Sequence, residues 1–117
     1  MASTPRNGDR ILILKPQWLQ LILIGQKKLE IRGRKLRPGL CFLGYRCKIY
    51  AAADIGHAIH ISTPEEWSRL RTEHCVETTA LPYKKTYGLP LSNVCILDQP
   101  IRYSHRRGAI GIVKYRS

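Results

Sequence analysis

Residues 11–32 read ILILKPQWLQLILIGQKKLEIR, and the prediction of the fold starts from them. The apolar run Ile11–Leu14 is typical of a short buried strand. A Lys-Pro pair follows, and proline at a first helical position predicts a helix from Pro16 to about Ile24. Gly25 predicts the end of that helix, because glycine adopts the left-handed conformation of a C-terminal cap without steric strain.

The same stretch ends on alternating charged and apolar residues, which is the period of a half-buried strand. The alternation places Lys28, Glu30 and Arg32 on one face. Lys27 falls on the other face, although its place at the junction with the helix leaves its direction open. A glutamate between two cations is normally ionised and paired. It either belongs to a solvated ladder of surface ion pairs or orients Lys27 or Arg32 toward a ligand.

Outside this stretch the sequence predicts a second helix and further short strands. Thr63-Pro64-Glu65-Glu66 is a helix start with Thr63 or Ser62 as its cap, and the helix is predicted to end near His74. Trp18 and Trp67 lie on the apolar stripes of the two helices and are predicted to be core residues. Residues 78–91 are predicted to be irregular. Strands are predicted at Leu40–Tyr45, Lys48–Ala53 after a tight turn near Arg46, Ile55–Ile61 with Gly56 as a kink or bulge, Asn93–Leu97 and Ala109–Tyr115.

About six short strands and two helices follow from these patterns. Strands that lie close together in sequence usually pair as neighbours. The pattern therefore favours the α+β class, with a small barrel or curled sheet of about six strands and two helices on its rim. A length of 117 residues suits one domain with a buried core. We expect a flexible leader over residues 1–10 and a single domain over residues 11–117.

The net charge of the chain is +12, from 20 Lys and Arg against 8 Asp and Glu. Residues 1–50 carry a net charge of +9 and residues 78–117 a net charge of +6, whereas residues 51–77 carry −3. The ends of small domains often meet in space, and these two ends would then form one basic face. Such a face attracts phosphate groups or acidic surfaces; alternatively, it only keeps the protein soluble.

The sequence also argues against several classes of protein. The longest apolar run, residues 19–25, is far shorter than the roughly 20 residues of a membrane span. No membrane association is predicted, and the expected compartment is intracellular, either cytoplasmic or nuclear. Four cysteines without a CxxC pair predict free thiols. His57 and His60 lie three residues apart in a predicted strand and point to opposite faces, so neither a metal site nor a cofactor is predicted.

The N-terminal stretch resembles the opening of an ASCH domain. The shared features are the first strand, the Lys-Pro helix start and the signature Gly25-x-Lys27-x-x-Glu30-x-Arg32. The C-terminal segments LSNV, PIRY and GAIGIVK are similar to that family as well, so the resemblance covers roughly residues 11–115. It implies a small PUA-like β-barrel with peripheral helices and an RNA-related role, with a binding cleft beside the signature.

One bacterial branch of that family hydrolyses N4-acetylcytidine with a lysine, a threonine and a glutamate. By resemblance, Lys27 takes the place of the lysine, Glu30 stands where that branch has threonine, and Glu77 takes the place of the glutamate, with Glu73 as a weaker match. The glutamate at position 30 departs from that branch. The tryptophan that many members of the family have around position 89 is also missing, because this chain has Leu89 there. A lysine acts as a base when burial or neighbouring cations lower its pKa.

Cations and aromatic residues interleave in the loop after the signature and in the C-terminal third of the chain. This combination suits phosphate contacts with base stacking; alternatively, the charges are merely solvated and the tyrosine rings cover the core. Tyr103 and Arg102 belong to the same clusters. The predicted nucleic-acid-binding residues are Lys28, Arg32, Arg34, Lys35, Arg37, Tyr83, Lys84, Lys85, Tyr87, Arg106 and Arg107.

Three classes of function follow from the sequence. The first is a nucleic-acid-binding module for RNA or another single strand, with phosphates held in a basic cleft. The second is an enzyme with Lys27, Glu30 and Glu77 as catalytic residues, either an amidohydrolase on a modified nucleoside or a ribonuclease. The third is a coactivator-like protein-interaction module whose basic face docks an acidic partner, a partner that the sequence does not identify.

Overall fold

The chain folds around one curled sheet with short helices beside it. The computed structural model describes residues 4–104 and 111–116. In that part of the chain, no helix is long and apolar enough to cross a membrane. The strands are β1 Arg10–Ile13, β2 Leu29–Arg32, β3 Gly39–Tyr45, β4 Lys48–Ile55, β5 Ile59–Ile61, β6 Thr86–Arg102 and β7 Ile112–Lys114. The helices are α1 Pro16–Leu23, α2 Pro64–Arg69 and α3 Arg71–His74.

The strand order is β2-β6-β4-β3-β1-β7, and β5 also pairs with β6. Strand β1 is parallel to β3, and the other pairs are antiparallel. The predicted α+β barrel with helices on its rim is confirmed, with seven strands and three helices in the described residues instead of about six and two. The two basic ends of the chain meet, because Arg10 of β1 lies opposite Lys114 of β7.

Helix α1 and the hairpin after β3 follow the local sequence signals. Pro16 is the first residue of α1, Leu19 and Ile22 are buried beneath it, and Gly25 has the predicted left-handed conformation with φ +83°. Arg46 and Cys47 form the turn between β3 and β4 with φ of 50° and 64°. Two consecutive positive φ angles match the twist of a two-residue hairpin, so the predicted tight turn is confirmed.

The second predicted helix begins as expected but is broken in two. The Thr63 hydroxyl oxygen accepts a hydrogen bond from the backbone N–H of Glu66 at 3.1 Å, which is the predicted cap. The predicted single helix to His74 is wrong, because Leu70 has ψ 7° and separates α2 from α3. The tightened turn lets the ring of His74 stack on the ring of Trp67, with 3.8 Å between the centroids. Trp67 is fully buried, so its prediction as a core residue is confirmed.

Strand β6 is 17 residues long, and the sequence predicted only its middle. Its first part pairs with β2 on one edge and β5 on the other, and its later part pairs with β4. The irregular structure predicted over residues 78–91 is confirmed as far as residue 85 and wrong from Thr86 onward, where Pro90 does not break the strand. The carbonyl oxygen of Pro90 accepts a hydrogen bond from the N–H of Gly56. Proline has no N–H to donate, but on this side of β6 the neighbouring segment forms a bulge, so no hydrogen bond between strands is lost.

That bulge interrupts the strand predicted over residues 55–61. Strand β4 ends at Ile55 opposite Leu91, and β5 begins at Ile59 opposite Gly88. Three residues, 56–58, therefore face two residues of β6, as in a β-bulge. The single strand predicted there is wrong, whereas a bulge at Gly56 was anticipated. The bulge lets one strand, β6, serve both halves of the curled sheet.

Gly88 is the position where β6 passes between β2 and β5, and we expect it to tolerate no side chain. A Cβ there would lie 2.8 Å from Cδ2 of the buried Leu29 side chain. Gly88→Ala should overpack this crossing and lower the free energy of unfolding by about 1–3 kcal/mol, measured by urea denaturation.

Gly56→Ala is the matched control for this change. A Cβ at Gly56 would make only ordinary contact, 3.4 Å from Cβ of Pro90. The free energy of unfolding of Gly56→Ala should therefore stay within about 0.5 kcal/mol of the wild type. If the two alanine variants were equally stable, the tight crossing at Gly88 would be contradicted.

Candidate functional site

An open cleft lies where the two ends of the curled sheet approach each other. Strand β2 is one end of the strand order, and β1 with β7 forms the other. Arg32, the last residue of β2, spans the gap: its Nη2 donates to the carbonyl oxygen of Ile13 in β1 at 2.8 Å. Trp18 of helix α1 and Val76, Pro82 and Tyr83 contribute to the other walls. We call this cavity of about 260 Å³ the motif cleft, because the residues of the signature form its floor.

The floor of the motif cleft is a buried cluster of charged groups. Glu30 is 4% exposed and Lys27 is 2% exposed. Oε2 of Glu30 accepts from Nε of Arg32 at 2.7 Å, and Oε1 of Glu30 lies 3.7 Å from Nζ of Lys27. Two cations therefore share one carboxylate, and the cluster carries an excess positive charge. A buried charge of this kind favours an anionic ligand or an electron-rich group in the cleft.

The sequence did not predict this geometry. Strand alternation placed Lys27 on the face opposite Glu30, but Lys27 precedes β2 in the turn after Gly25, where a period of two does not apply. A second expectation, a solvated ladder of surface ion pairs, is wrong because both side chains are buried. Glu30 contacts both Lys27 and Arg32, and the alternative in which it orients Lys27 or Arg32 toward a ligand stays a prediction.

The amine of Lys27 is held by several groups. Burial lowers its pKa below 10.5, and the positive charge of Arg32 lowers it further, whereas the carboxylate of Glu30 opposes both effects. Nζ also donates to the backbone carbonyl oxygen of His74 and lies 4.8 Å from the ring centroid of Trp18. This lysine is both positioned and more easily deprotonated than a surface lysine, which is what a general base or nucleophile requires.

Two aromatic side chains line the motif cleft above the charged floor. Trp18 is half-buried and packs against the hydrophobic core, as predicted, and its ring also lies against Lys27, which was not predicted. It lies on the first turn of α1, at the edge of the apolar stripe, and only the tertiary position of Lys27 reveals its role. Tyr83 is 45% exposed and stands at the rim. Lys15, Ile13 and Pro82 contribute to the walls.

His74 supports the cleft from behind as a neutral ring of defined tautomer. Its Nδ1 accepts the backbone N–H of Val76 at 2.9 Å, so the proton sits on Nε2, which donates to the carbonyl oxygen of Trp67 at 2.8 Å. Burial lowers the pKa of His74 below 6.5, and the nearby cations Lys27 and Arg71 lower it further. The ring therefore fixes the segment whose backbone carbonyl receives the Lys27 amine.

Several other predicted site residues lie outside the motif cleft. Glu77 is exposed and does not line it. The side chain of Lys28 is exposed. Its backbone N–H donates to the carbonyl oxygen of Glu73, and its carbonyl oxygen accepts the N–H of Leu91. Tyr87 packs against the ring of His60 at 5.1 Å.

The remaining predicted positions are spread over the surface and the core. Tyr103 is buried, whereas Lys84 and Lys85 are exposed beside Tyr83. Arg34, Lys35 and Arg37 are exposed on the loop between β2 and β3. Arg106 and Arg107 lie outside the described residues.

The cysteines and histidines form no further site in the described residues. Cys41, Cys47, Cys75 and Cys95 are free, and burial raises the pKa of the Cys41 thiol to about 11, which makes it unreactive. Across residues 4–104 and 111–116, no three His, Cys, Asp or Glu side chains are grouped so that they could hold a metal ion.

The fold is shared with known structures. Among solved structures, ASCH from Zymomonas mobilis superposes with a TM-score of 0.74 at 15% sequence identity, over 93% of this chain and 88% of that one. The chain has the ASCH-domain fold. A mutant of the Zymomonas ASCH protein gives a TM-score of 0.73 at 15% identity, over 97% of this chain and 92% of that one. Comparison of the sequence with protein-family models and with curated proteins finds no match. The resemblance to the ASCH domain is thus confirmed at the level of the fold.

Glu30 should be essential to stability because it neutralises two cations in the floor of the cleft. Glu30→Gln removes the charge and leaves the buried amine of Lys27 uncompensated, so the free energy of unfolding should fall by about 3 kcal/mol in urea denaturation. The double variant Lys27→Met/Glu30→Gln should recover most of this loss, because the remaining cation, Arg32, is partly exposed and keeps its hydrogen bond to the carbonyl oxygen of Ile13. Glu77→Gln, a change of an exposed glutamate, should stay within about 0.5 kcal/mol of the wild type and serves as the control.

The stability of the protein should decrease as the pH falls below about 6.5 because of His74. The folded-state pKa is lowered, so in this range the unfolded chain binds a proton that the folded chain does not. The contribution of the neutral His74 ring to the free energy of unfolding is fully present above the pKa of the unfolded chain. It is lost as the pH falls through the lower pKa of the folded chain.

Urea denaturation between about pH 8 and about pH 5 measures this effect. His74→Gln should show a shallower pH dependence than the wild type, whereas His57→Gln, at an exposed position, should keep the wild-type dependence. Identical pH profiles for all three proteins would contradict the neutral buried ring.

Proposed function

We propose that this protein binds single-stranded RNA and holds one base of the strand in the motif cleft. The observation that carries the proposal is the buried cluster of Lys27, Glu30 and Arg32 beneath Trp18 and Tyr83 in an open cleft. Fixed positive charge below aromatic walls is the combination with which proteins bind a base and its phosphate.

The charged floor supports an anionic or electron-rich ligand. Glu30 has two cationic partners, so Arg32 and Lys27 retain an excess positive charge after pairing. Nη2 of Arg32 is tied to β1 and its Nε to Glu30, which fixes the planar guanidinium group before any ligand arrives. A fixed guanidinium loses little entropy on contacting a phosphate or a base oxygen.

The aromatic walls support recognition of an unpaired base. Trp18 and Tyr83 both line a cavity of about 260 Å³, which excludes a duplex but admits a single extruded ring. Single-stranded RNA presents such bases, and proteins recognise them by stacking on aromatic rings. The resemblance to the ASCH domain, with its RNA-related roles, supports RNA over DNA.

Lys27 favours a second candidate function, hydrolysis of an N4-acylated cytidine. Its pKa is lowered by burial, and its amine lines the cleft next to Glu30. An amine whose pKa is lowered loses its proton more easily than a surface lysine, and once deprotonated it can accept a proton from an attacking water molecule. The third residue of the proposed catalytic set, Glu77, is exposed outside the motif cleft, so this candidate relies on Lys27 and Glu30 alone.

Trp18→Ala tests the proposed RNA-binding function. Fluorescence anisotropy with a short single-stranded RNA should show binding that weakens as salt increases. Trp18→Ala should reduce the affinity about 5- to 150-fold, because loss of one base-aromatic stack costs about 1–3 kcal/mol. Trp18→Phe keeps an aromatic surface and should retain most of the affinity.

Two further observations complete this experiment. Equal urea midpoints for the two Trp18 variants would show that the loss arises at the cleft and not from unfolding. Absence of RNA binding by the wild type at low salt would overturn the proposal. Strand cleavage that depends on Lys27 would identify a ribonuclease, and turnover of N4-acetylcytidine lost in Lys27→Ala would favour the second candidate.

A further inference from the structure

A second, strongly basic depression lies beside the motif cleft. The loop between β2 and β3 faces strand β7 across a cavity of about 400 Å³, which we call the basic groove. Its cations come from both ends of the chain, because β1 pairs with β7 and brings them together. The five cations that line it are Arg10, Arg34, Lys35, Arg37 and Lys114.

The basic groove is continuous with the motif cleft. A middle cavity of about 490 Å³ lies between them and shares Arg32 and Tyr83 with the motif cleft. The same cavity shares Arg34, Leu36 and Ile112 with the basic groove. A chain-like ligand can therefore pass from the charged floor of the motif cleft to the basic groove without leaving the surface.

The cations of the basic groove are not neutralised by the protein itself. Within residues 4–104 and 111–116, the ion pairs closer than 4.0 Å are Lys27–Glu30 and Arg32–Glu30, and both lie in the motif cleft. Arg34, Lys35 and Arg37 are exposed and have no carboxylate partner there. Like charges gathered on one surface repel one another, and a ligand carrying several negative charges relieves that repulsion.

The groove is also held in shape. Nη2 of Arg10 donates to the carbonyl oxygen of Leu40 at 3.0 Å, and its Nη1 donates to the carbonyl oxygen of Arg37. These two bonds fix the end of the loop against β1. Leu36, Ile112 and Val113 line the groove together with the cations. A lining that combines several cations with apolar side chains suits a backbone of alternating phosphates and sugars.

We propose that the basic groove is a phosphodiester-binding track, and that the ligand is a strand of several nucleotides rather than a free nucleoside. The strand places one base in the motif cleft, crosses the middle cavity and lays its phosphates along Arg34, Lys35, Arg37 and Lys114. This inference rests on the proposed RNA-binding function and extends it by assigning the basic groove to the phosphates of the nucleotides that lie outside the motif cleft.

The inference predicts that affinity depends on the length of the ligand. A mononucleotide reaches the motif cleft alone, whereas an octanucleotide fills the track as well. Each additional phosphate neutralised by the protein adds about −0.7 to the slope of log affinity against log salt for a single strand. The octanucleotide should therefore bind more tightly and with a clearly steeper salt dependence than the mononucleotide.

The experiment is a competition titration against a fluorescent octanucleotide, with unlabelled RNA of one, two, four and eight nucleotides at several salt concentrations. The test variant is Lys35→Glu/Arg37→Glu, which changes only groove residues. The control is Arg46→Glu/Lys48→Glu at the exposed turn between β3 and β4, roughly 20 Å away along the strands. Both double variants lower the net charge from +12 to +8.

We expect the test variant to reduce octanucleotide affinity at least tenfold and its salt slope by about 1.4, which corresponds to two phosphates, while mononucleotide affinity changes little. The control should stay within about threefold of the wild type. Length-independent affinity, or equal losses in both double variants, would overturn the track and leave the proposed binding at the motif cleft intact. Absence of binding by any nucleotide ligand would overturn both.

An acidic peptide distinguishes a phosphodiester track from a surface for acidic proteins. A polyglutamate peptide with the charge of the octanucleotide should displace it only weakly, because carboxylates do not match the spacing of phosphates and stack no base. Displacement as effective as that by RNA would overturn the inference and assign the groove to an acidic protein partner.

Discussion

The carboxylate of Glu30 is the interaction on which the rest of the site depends. It is buried between Lys27 and Arg32, and a buried charge is tolerated only when it is paired and hydrogen-bonded. Each of its partners has a second contact elsewhere: Arg32 reaches the carbonyl of Ile13 in β1, and Lys27 reaches the carbonyl of His74 at the end of α3. One carboxylate thus fixes three parts of the fold around one cleft.

The distribution of charge explains how a small fold combines a specific cavity with an extended surface. The motif cleft has cations of fixed geometry, which provide contacts at defined positions. The loop between β2 and β3 has exposed cations without carboxylate partners in the described residues, which act at longer range and are weakened by salt. In the proposed function, the cations of the motif cleft select the bound base, and the exposed cations of the loop attract the RNA strand.

Local signals in the sequence predicted local structure well. The Pro16 start, the Gly25 cap, the Thr63 cap and the turn at Arg46 are each set by one or two residues and their immediate backbone. The predictions failed where neighbours distant in sequence compensate for an unfavourable residue. Pro90 belongs to a long strand because its missing N–H faces a bulge in another segment, and no local pattern reveals that bulge.

The sequence by itself determined the positions of most elements, the fold suggested by the ASCH-like signature, and the excess of basic residues at both ends of the chain. Only the tertiary structure decided that Lys27 and Glu30 share one side, that Trp18 lines a cleft, and that Arg10, Lys114 and the loop after β2 form one groove. The physical reason is that periodicity describes one segment at a time. Sites form where the pairing of β1 with β7 and the burial of a charge bring separate segments into contact.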